Sequence, residues 1–332
     1  MTVRLLCLCN AGAGGKTGRA DALRALLPDA ANLRSILTQN AEHVSVLVDE
    51  FDGTHEDLIA ISGGDGSLQW LLSLLAQRHE RGLPCPRLAV LPGGSTNMSA
   101  RDINRHHRWS AAAAVLAQVA KDGPQASTFV RRPVLRVHRA SGVQAGFFLG
   151  AGAVVEGIDY CNRRLWAEGA ARRELTAGLA MARTVLGVLR AEAPFDSPLP
   201  LALEAFGERE SEAIRLAPST GATVLAVSTL DRLLVGARPH WGAESGAVRF
   251  TLVERSARLL RHLGGLLGLP GLGRPGADAG YHSHNCTRLK LSFASERKAQ
   301  QPASYAIDGE VFAAPAEALT VDADWAPEFL IL

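Results

Sequence analysis

Two glycine-rich turns, each directly after an apolar segment, constrain the fold of this chain more than any other feature. The first turn is Ile61-Ser-Gly-Gly-Asp-Gly-Ser67, and the second, about 30 residues later, is Leu91-Pro-Gly-Gly-Ser-Thr-Asn97. Each follows a short apolar run typical of a buried strand, and a helical pattern follows each turn. Because the carboxyl ends of parallel strands meet at one edge of a sheet, we expect the two turns to lie side by side there.

The first 125 residues repeat the same order of strand, turn and helix, which predicts a mostly parallel sheet covered by helices. The predicted strands are Val3–Cys9, Leu33–Leu37, Asp57–Ser62 and Arg87–Leu91, and the predicted helices are Gly18–Leu27, Asn40–Phe51, Ser67–Arg78 and Ser110–Lys121.

After Asp122 the chain is rich in strands without regular helices between them, which predicts an antiparallel second domain over about 126–314. A helical insert with an amphipathic pattern is predicted at about Arg163–Arg190, and the tail, about 315–332, is expected to return to the first domain. The predicted strands of this part are Phe129–Val137, Gln144–Leu149, Thr223–Val227, Val248–Val253 and Thr287–Phe293.

Composition excludes several classes of protein. With 47% apolar and 20% charged residues the chain is typical of a folded globular protein, and a net charge of +2 does not favour a nucleic-acid partner. Five scattered cysteines without a CxxC pair favour a reducing compartment such as the cytoplasm. No run of about 18 apolar residues predicts a transmembrane helix, and the first residues do not resemble a signal peptide. The sequence does not indicate an oligomeric state.

The first turn has the composition of a phosphate-binding turn. Gly63, Gly64 and Gly66 allow the backbone to approach an anion, and the N-terminus of the following helix favours negative charge. Asp65 would be repelled by phosphates unless it binds Mg²⁺ or takes a proton, so this residue points to phosphate chemistry. The alternative is a tight strand-to-helix turn in which the aspartate caps a helix.

The second turn repeats this design with neutral donors. Gly94, Ser95, Thr96 and Asn97 supply backbone and side-chain groups suited to phosphate oxygens. The alternative is again a loop with a helix cap, although two such turns on neighbouring strands are harder to explain in this way.

A third motif, Tyr305-Ala-Ile-Asp-Gly-Glu310, places two acids around a glycine near the end of the chain. Asp308 and Glu310 are candidates for a proton acceptor facing a cleft. Asp-Gly is also a common hairpin turn, which is the structural alternative.

The order GGDGS, LPGGSTN and DGE resembles the diacylglycerol kinase catalytic-domain family, which includes bacterial lipid kinases, sphingosine kinases and ceramide kinases, with NAD kinases more distant. Three further stretches match this family: Asn10-Ala-Gly12-Ala-Gly14 at the first strand end, Thr38 after the second strand, and Gly236–Pro239 in the β-rich part.

The resemblance implies an α/β protein with a three-layer N-terminal domain (1–125) that binds nucleotide and a β-rich domain (126–314) that receives a lipid. ATP with Mg²⁺ would bind in the interdomain cleft, and its γ-phosphate would pass to a hydroxyl of a diacylglycerol, sphingoid base or ceramide. Such an enzyme is expected in the cytoplasm, at the inner membrane surface where its lipid substrate lies. The implied nucleotide-binding residues are Asn10, Gly12, Thr38, Gly63, Gly64, Asp65, Gly66, Ser67, Gly94, Ser95 and Asn97; Asp65 is the metal residue, and Asp65, Asp308 and Glu310 are the catalytic candidates.

The sequence departs from the family pattern at several positions, which leaves alternatives open. Ser67 replaces a threonine, Gln69-Trp70 replaces Asn-Glu, and Met98 stands where an aspartate is usual. Glu244-Ser-Gly246 stands where bacterial members help to hold a structural metal. A kinase of a soluble acceptor, as in NAD kinases, and an inactive relative that binds nucleotide or lipid therefore remain open. Asn10–Thr17 also approaches a P-loop pattern, which would instead indicate an ATPase or GTPase.

Overall fold

The computed structural model describes residues 4–10, 18–28, 33–38, 40–94, 96–123, 129–165, 182–208, 213–233, 237–255, 257, 259–266, 273–294 and 303–332. The chain forms two compact units, one of Met1–Val134 with Trp325–Leu332 and the other of Leu135–Asp324. The first boundary lies about ten residues after the predicted one because a strand at 129–131 still belongs to the sheet of the first unit.

The first unit contains a six-stranded sheet in the order β2-β1-β3-β4-β18-β5. Strands β2, β1, β3, β4 and β18 run parallel, and β5 pairs with β18 in the antiparallel sense. The strands are β1 Leu5–Asn10, β2 Leu33–Thr38, β3 Leu58–Gly63, β4 Arg87–Pro92, β5 Phe129–Arg131 and β18 Glu328–Leu330.

Helices cover both faces of this sheet, so the predicted three-layer α/β architecture is confirmed. Leu23 of α1 and Leu116 of α5 pack with alternate residues of the strands, such as Cys7 and Leu91, on one face. Helices α2 and α3 contact each other and lie against β2 and β3. The helices of this unit are α1 Arg19–Leu26, α2 Ala41–Phe51, α3 Asp65–Glu80, α4 Met98–Ile103 and α5 Trp109–Asp122.

The second unit contains two six-stranded sheets, with the orders β10-β9-β14-β17-β6-β7 and β13-β12-β11-β8-β15-β16. Their paired strands run antiparallel, for example β11 with β8 and β12, which confirms the predicted β-rich part. Leu289 and Phe250, from different sheets, share one apolar core. The strands are β6 Val134–Arg139, β7 Gly142–Gly146, β8 Phe148–Gly152, β9 Leu201–Phe206, β10 Ile214–Leu216, β11 Ala222–Ser228, β12 Val248–Glu254, β13 Tyr281–Cys286, β14 Arg288–Phe293, β15 Ser304–Ile307, β16 Glu310–Ala313 and β17 Leu319–Trp325.

The helical parts of the second unit are shorter. They are α6 Ala153–Tyr160, a π-helical turn at Cys161–Leu165, residues 182–189, α7 Leu259–Leu266 and a 3₁₀ turn at Ala277–Ala279. Most of the predicted insert at 163–190 lies outside the described residues. None of the described helices combines the length and the apolar character that crossing a membrane requires.

Two predicted strands were wrong, because each divides into strands of different sheets. Residues 144–149, predicted as one strand, include the end of β7 and the start of β8. Residues 129–137, predicted as one strand, form β5 and β6 in different sheets, because Pro133 between them has no N–H for a ladder. Helix α4 was not predicted, since it has six residues and begins after Asn97, whose φ of 47° is left-handed.

Candidate active site

The carboxyl ends of the parallel strands bring several predicted residues into one row. Asn10, the last residue of β1, lies beside Thr38 of β2, and Gly63 of β3 lies beside Pro92 of β4. Asn10 also reaches the start of α3, because its Nδ2 donates to Ser67 Oγ at 2.7 Å. The ends of β1 and β2 and the start of α3 therefore form one continuous polar edge.

The two glycine turns contact each other backbone to backbone. Gly93 N donates to Gly63 O at 2.8 Å. A Cβ atom on Gly94 would lie 2.3 Å from the Cα of Gly64, and one on Gly93 would lie 2.7 Å from Gly63 N. Glycine is therefore required here by turn-to-turn packing, a reason that the sequence alone did not reveal.

Asp65 links the first turn to the helix that follows the second. The residue is 8% exposed, and its carboxylate accepts hydrogen bonds from Thr96 Oγ1 at 2.5 Å, Met98 N at 3.0 Å and Ser99 N at 3.1 Å. Met98 and Ser99 open α4, so Asp65 caps that helix across a separation of more than 30 residues. The capping alternative is therefore realised, on α4 and not on the helix that contains Asp65.

Asn97 closes the second turn upon itself. Its Oδ1 accepts from Gly94 N at 2.7 Å, and its Nδ2 donates to Gly94 O at 3.0 Å. The N–H groups of Gly93 and Gly94 are thus already used within the turns. The backbone donors of this edge are instead those of the first turn of α3, because the first N–H groups of a helix have no acceptor inside it.

Two predicted residues cannot be placed. Gly12 and Ser95 lie outside the described residues, and so does the Gly15-Lys-Thr17 segment of the P-loop alternative. Gly66 lies in the first turn of α3.

Arg19, which no motif singled out, lies beside the second turn. Its Nη1 donates to Gly93 O at 2.6 Å, and its guanidinium carbon is 5.8 Å from the centroid of the Trp109 ring. Trp109 Nε1 in turn donates to Ser62 Oγ at 2.9 Å. Burial lowers the pKa of Arg19. One sequence signal could have indicated Arg19: the cations Lys16 and Arg19 follow the glycine-rich segment after β1.

Asp308 lies in the second unit, in the hairpin turn between β15 and β16. Asp308 and Gly309 have φ values of 47° and 94°, as in turns with two left-handed central residues. The Asp308 carboxylate, in a residue 6% exposed, accepts from Phe147 N and Phe148 N, both at 2.9 Å. The predicted hairpin alternative is therefore the local structure here, and the carboxylate fastens the hairpin to β8.

Glu310 follows as the first residue of β16 and is exposed. Among the described contacts, its carboxylate makes no hydrogen bond or ion pair. The two acids of the third motif thus differ: Asp308 is buried and each of its oxygens accepts a backbone N–H group, whereas Glu310 is exposed and has no such partner among the described residues.

Glu244, at the stretch compared with a structural metal site, is paired with a histidine. Its Oε1 lies 2.6 Å from His284 Nδ1, and its Oε2 accepts from Asn285 N at 3.1 Å. Burial opposes ionisation of Glu244, but these hydrogen bonds outweigh it and its pKa is lowered. In the described part of the chain, no three His, Cys, Asp or Glu side chains are grouped closely enough to hold a metal ion.

A three-layer α/β unit followed by an antiparallel two-sheet unit is also the fold of solved bacterial kinases. A diacylglycerol kinase from Bacillus anthracis str. Sterne superposes with a TM-score of 0.60 at 14% identity, over 99% of this chain and 97% of that chain. Two putative diacylglycerol kinases from the same organism give TM-scores of 0.64 and 0.62 at 14% and 15% identity, over 99% of this chain and 97% and 95% of theirs. At these identities the likeness concerns the fold.

Residues 4–126 match the sequence profile of the diacylglycerol kinase catalytic domain. This match contains both glycine turns, and it confirms the resemblance to that family. A comparison with curated proteins found no match.

Proposed function

We propose that this protein is a kinase that transfers the γ-phosphate of ATP to a hydroxyl group of a diacylglycerol-, sphingoid- or ceramide-like lipid. The family match over residues 4–126 supports a phosphotransferase of the lipid kinase family. The observation that carries the proposal is the direct contact of two glycine turns at the carboxyl edge of β3 and β4, with Gly93 N 2.8 Å from Gly63 O. Ligands of parallel α/β sheets bind at this edge.

The phosphates of ATP would bind at the N-terminus of α3. This helix has 16 residues, and the N–H groups of Asp65, Gly66 and Ser67 open it. Helix N-termini favour anions because of these free donors and the helix dipole. Asn10 fixes the Ser67 hydroxyl by its hydrogen bond, which prepares that hydroxyl to donate to a phosphate oxygen.

Mg²⁺ fits beside Asp65. Three of the roughly four lone-pair sites of this carboxylate accept hydrogen bonds, which leaves about one for a metal or for a metal-bound water. Mg²⁺ commonly binds through one or two carboxylates and completes its shell with phosphate oxygens and water. When bound, the ion would neutralise charge on the transferring phosphate.

We assign proton removal from the acceptor hydroxyl to Glu310. A general base needs an accessible oxygen within hydrogen-bond reach of the proton it accepts. Both oxygens of Asp308 accept backbone N–H groups, whereas the exposed Glu310 has no such partner among the described residues. Asp308 then has a positioning role, because it fixes the turn from which Glu310 projects.

The acceptor class places the reaction at a membrane surface, and we propose the cytoplasmic face of the inner membrane. The protein would reach its substrate there as a peripheral enzyme. Nothing in the charge balance, at +2, favours a nucleic-acid partner.

The test is transfer of labelled γ-phosphate. The pure protein is incubated with Mg²⁺ and labelled ATP, together with a total lipid extract, with diacylglycerol, sphingosine or ceramide in mixed micelles, or with soluble alcohols including NAD. Label in one lipid class supports the proposal and names the acceptor. Label in a soluble alcohol alone would replace it with a soluble-acceptor kinase, and nucleotide binding without transfer to any acceptor would indicate an inactive relative.

The base assignment has its own test. Glu310→Gln should lower kcat by about 10²- to 10⁴-fold with little change in ATP affinity, as expected for loss of a general base. Glu317→Gln, at another exposed glutamate of the second unit, is the matched control and should leave kcat unchanged. An unchanged kcat in Glu310→Gln would remove this residue from the mechanism.

A further inference from the structure

Arg19 is a half-buried cation beside the two glycine turns. It is the first residue of α1, and its Nη1 donates to Gly93 O at 2.6 Å. The face of Trp109 lies 5.8 Å from its guanidinium carbon. Within the described part of the chain these are the contacts that the side chain makes, and no carboxylate is among them.

Two other arginines of the same unit, Arg4 and Arg78, are paired with acids. Arg4 lies 2.6 Å from Asp57, and Arg78 pairs with Asp52. A partly buried charge loses some of its hydration, which is unfavourable when no counter-charge replaces it, and this burial lowers the pKa of Arg19. This unfavourable desolvation of Arg19 lies at the side of the sheet where the two glycine turns meet.

Most N–H donors of the Arg19 side chain have no acceptor among the described residues. A guanidinium has five N–H groups in a rigid fork, and one of them serves Gly93 O. Gly93 also donates to Gly63 O at 2.8 Å, so the remaining donors lie next to the contact between the two turns. Trp109, held by Ser62 Oγ at 2.9 Å, orients the fork before any ligand arrives.

We propose that Arg19 binds the phosphate chain of the nucleotide, and that the phosphates supply the counter-charge that none of the described residues provides. This inference deepens the proposed function and rests on it. It names a charged side chain for the site, in addition to the backbone donors of α3. Arg binds phosphate through paired N–H donors, which strengthens the interaction relative to neutral contacts.

The test separates a phosphate ligand from a structural tie between α1 and the second turn. Arg19→Gln keeps an N–H donor for Gly93 O but removes the charge, and Arg19→Lys keeps the charge but removes the fork. Arg24→Gln, on the exposed side of the same helix, is the matched control. Affinities for ATP, ADP, inorganic triphosphate and adenosine are measured by calorimetry and competition, together with the melting temperature.

We expect Arg19→Gln to weaken ATP and triphosphate binding by about 10- to 100-fold, the range for one charge-assisted hydrogen bond, with adenosine binding unchanged. Arg19→Lys should lie between this variant and the wild type, and Arg24→Gln should match the wild type. Unchanged ATP affinity in Arg19→Gln would overturn the inference and leave the proposed function intact. An equal loss for ATP and adenosine with a lower melting temperature would assign Arg19 a structural role instead. If the wild type bound neither nucleotide nor triphosphate, the proposed function and this inference would both fall.

Discussion

The two ends of the parallel strands differ in how their charged side chains are paired. We call the side where the strands begin the amino edge of the sheet, and the side where they end the carboxyl edge. At the amino edge Arg4 precedes β1 and Asp57 precedes β3, and Asp57 accepts from Arg4 Nη2 at 2.6 Å, Arg4 N at 3.1 Å and Thr54 N at 2.8 Å. At the carboxyl edge Arg19 has no carboxylate among its described contacts, and Asp65 accepts from two N–H groups and one hydroxyl. The charges at the amino edge are paired within the chain, whereas the carboxyl edge has the N–H groups of a helix N-terminus and a cation without a carboxylate partner among the described residues.

Helix direction explains this division. In a strand–turn–helix repeat, each helix begins at the carboxyl edge, so its free N–H groups and the positive end of its dipole lie there. Helix C-termini lie at the amino edge, where cations are favourable, and Arg78 and His79 occupy the last turn of α3. The comparison teaches that the amino edge serves stability and that the carboxyl edge is suited to anions.

The largest effect is expected from a substitution that disrupts the contact between the two glycine turns at the carboxyl edge. In Gly94→Ala the new Cβ would lie 2.3 Å from the Cα of Gly64, a clash with a backbone atom that no side-chain rotation relieves. We expect kcat/KM for ATP to fall by about 100-fold or more, since small displacements of a positioned site are costly. Gly18→Ala, at a neighbouring glycine with open space around it, is the control and should keep full activity. A fully active Gly94→Ala enzyme would mean that the turn contact is not part of the site.

The second-largest loss of activity is expected at Asp65, whose carboxylate links the two glycine turns. Asp65→Asn replaces one acceptor oxygen by an NH₂ group that faces donors such as Met98 N, which leaves a buried donor unsatisfied. We expect kcat/KM to fall by about 10- to 100-fold. Thr96→Ala removes one donor and leaves the carboxylate in place, so it should cost at most about 10-fold. Equal losses in the two variants would show that Asp65 acts as a cap and not on Mg²⁺.

At the amino edge the expected effect is on stability. The pKa of Asp57 is lowered from 3.8 to about 2, because the hydrogen bonds from Arg4 and Thr54 outweigh the opposing effect of burial. A lowered folded-state pKa stabilises the protein above about pH 4, and this contribution is lost as the pH falls towards 2. Asp57→Asn should therefore lower the free energy of unfolding by about 2 kcal/mol at pH 7.

Urea denaturation at pH 7 and at pH 3 checks this prediction. The difference between Asp57→Asn and the wild type should shrink at the lower pH, and the activity of each folded molecule should not change. Asp21→Asn, at an aspartate 3.9 Å from Arg24 and 82% exposed, is the control. A large loss of specific activity in Asp57→Asn would contradict the separation of the two edges.

The smallest effect is expected at Ser67. Ser67→Ala removes the acceptor of Asn10 Nδ2 at 2.7 Å and one candidate phosphate donor. We expect the KM for ATP to rise about 3- to 10-fold, corresponding to about 1 kcal/mol. Ser67→Thr keeps the hydroxyl and should restore the wild-type KM, and Ser110→Ala on α5 controls for loss of an exposed hydroxyl. A KM that does not respond to Ser67→Ala would remove this hydroxyl from the nucleotide site.

Sequence patterns predicted the first unit better than the second. Strands β1 to β4 and helices α1, α2, α3 and α5 were predicted close to their observed bounds, because their apolar periodicity is long and their ends carry turn residues. Strands β9, β10, β13 and β15 to β18 were not predicted as strands in their own right. Most of them are short, and apart from the β9–β10 and β15–β16 pairs their partners lie far away in sequence, so most of this pairing depends on tertiary contacts.

Sequence alone determined the order of strand, glycine turn and helix, and therefore the edge of the sheet at which the two turns meet, because helix and strand periodicity and chain direction are local properties. Tertiary structure decided the distant partners of two polar groups: Asp65 caps α4, and Arg19 lies beside Gly93. These partners are separated by more than 30 and more than 70 residues. A hydrogen bond over such separations depends on how the elements pack, which no local pattern encodes.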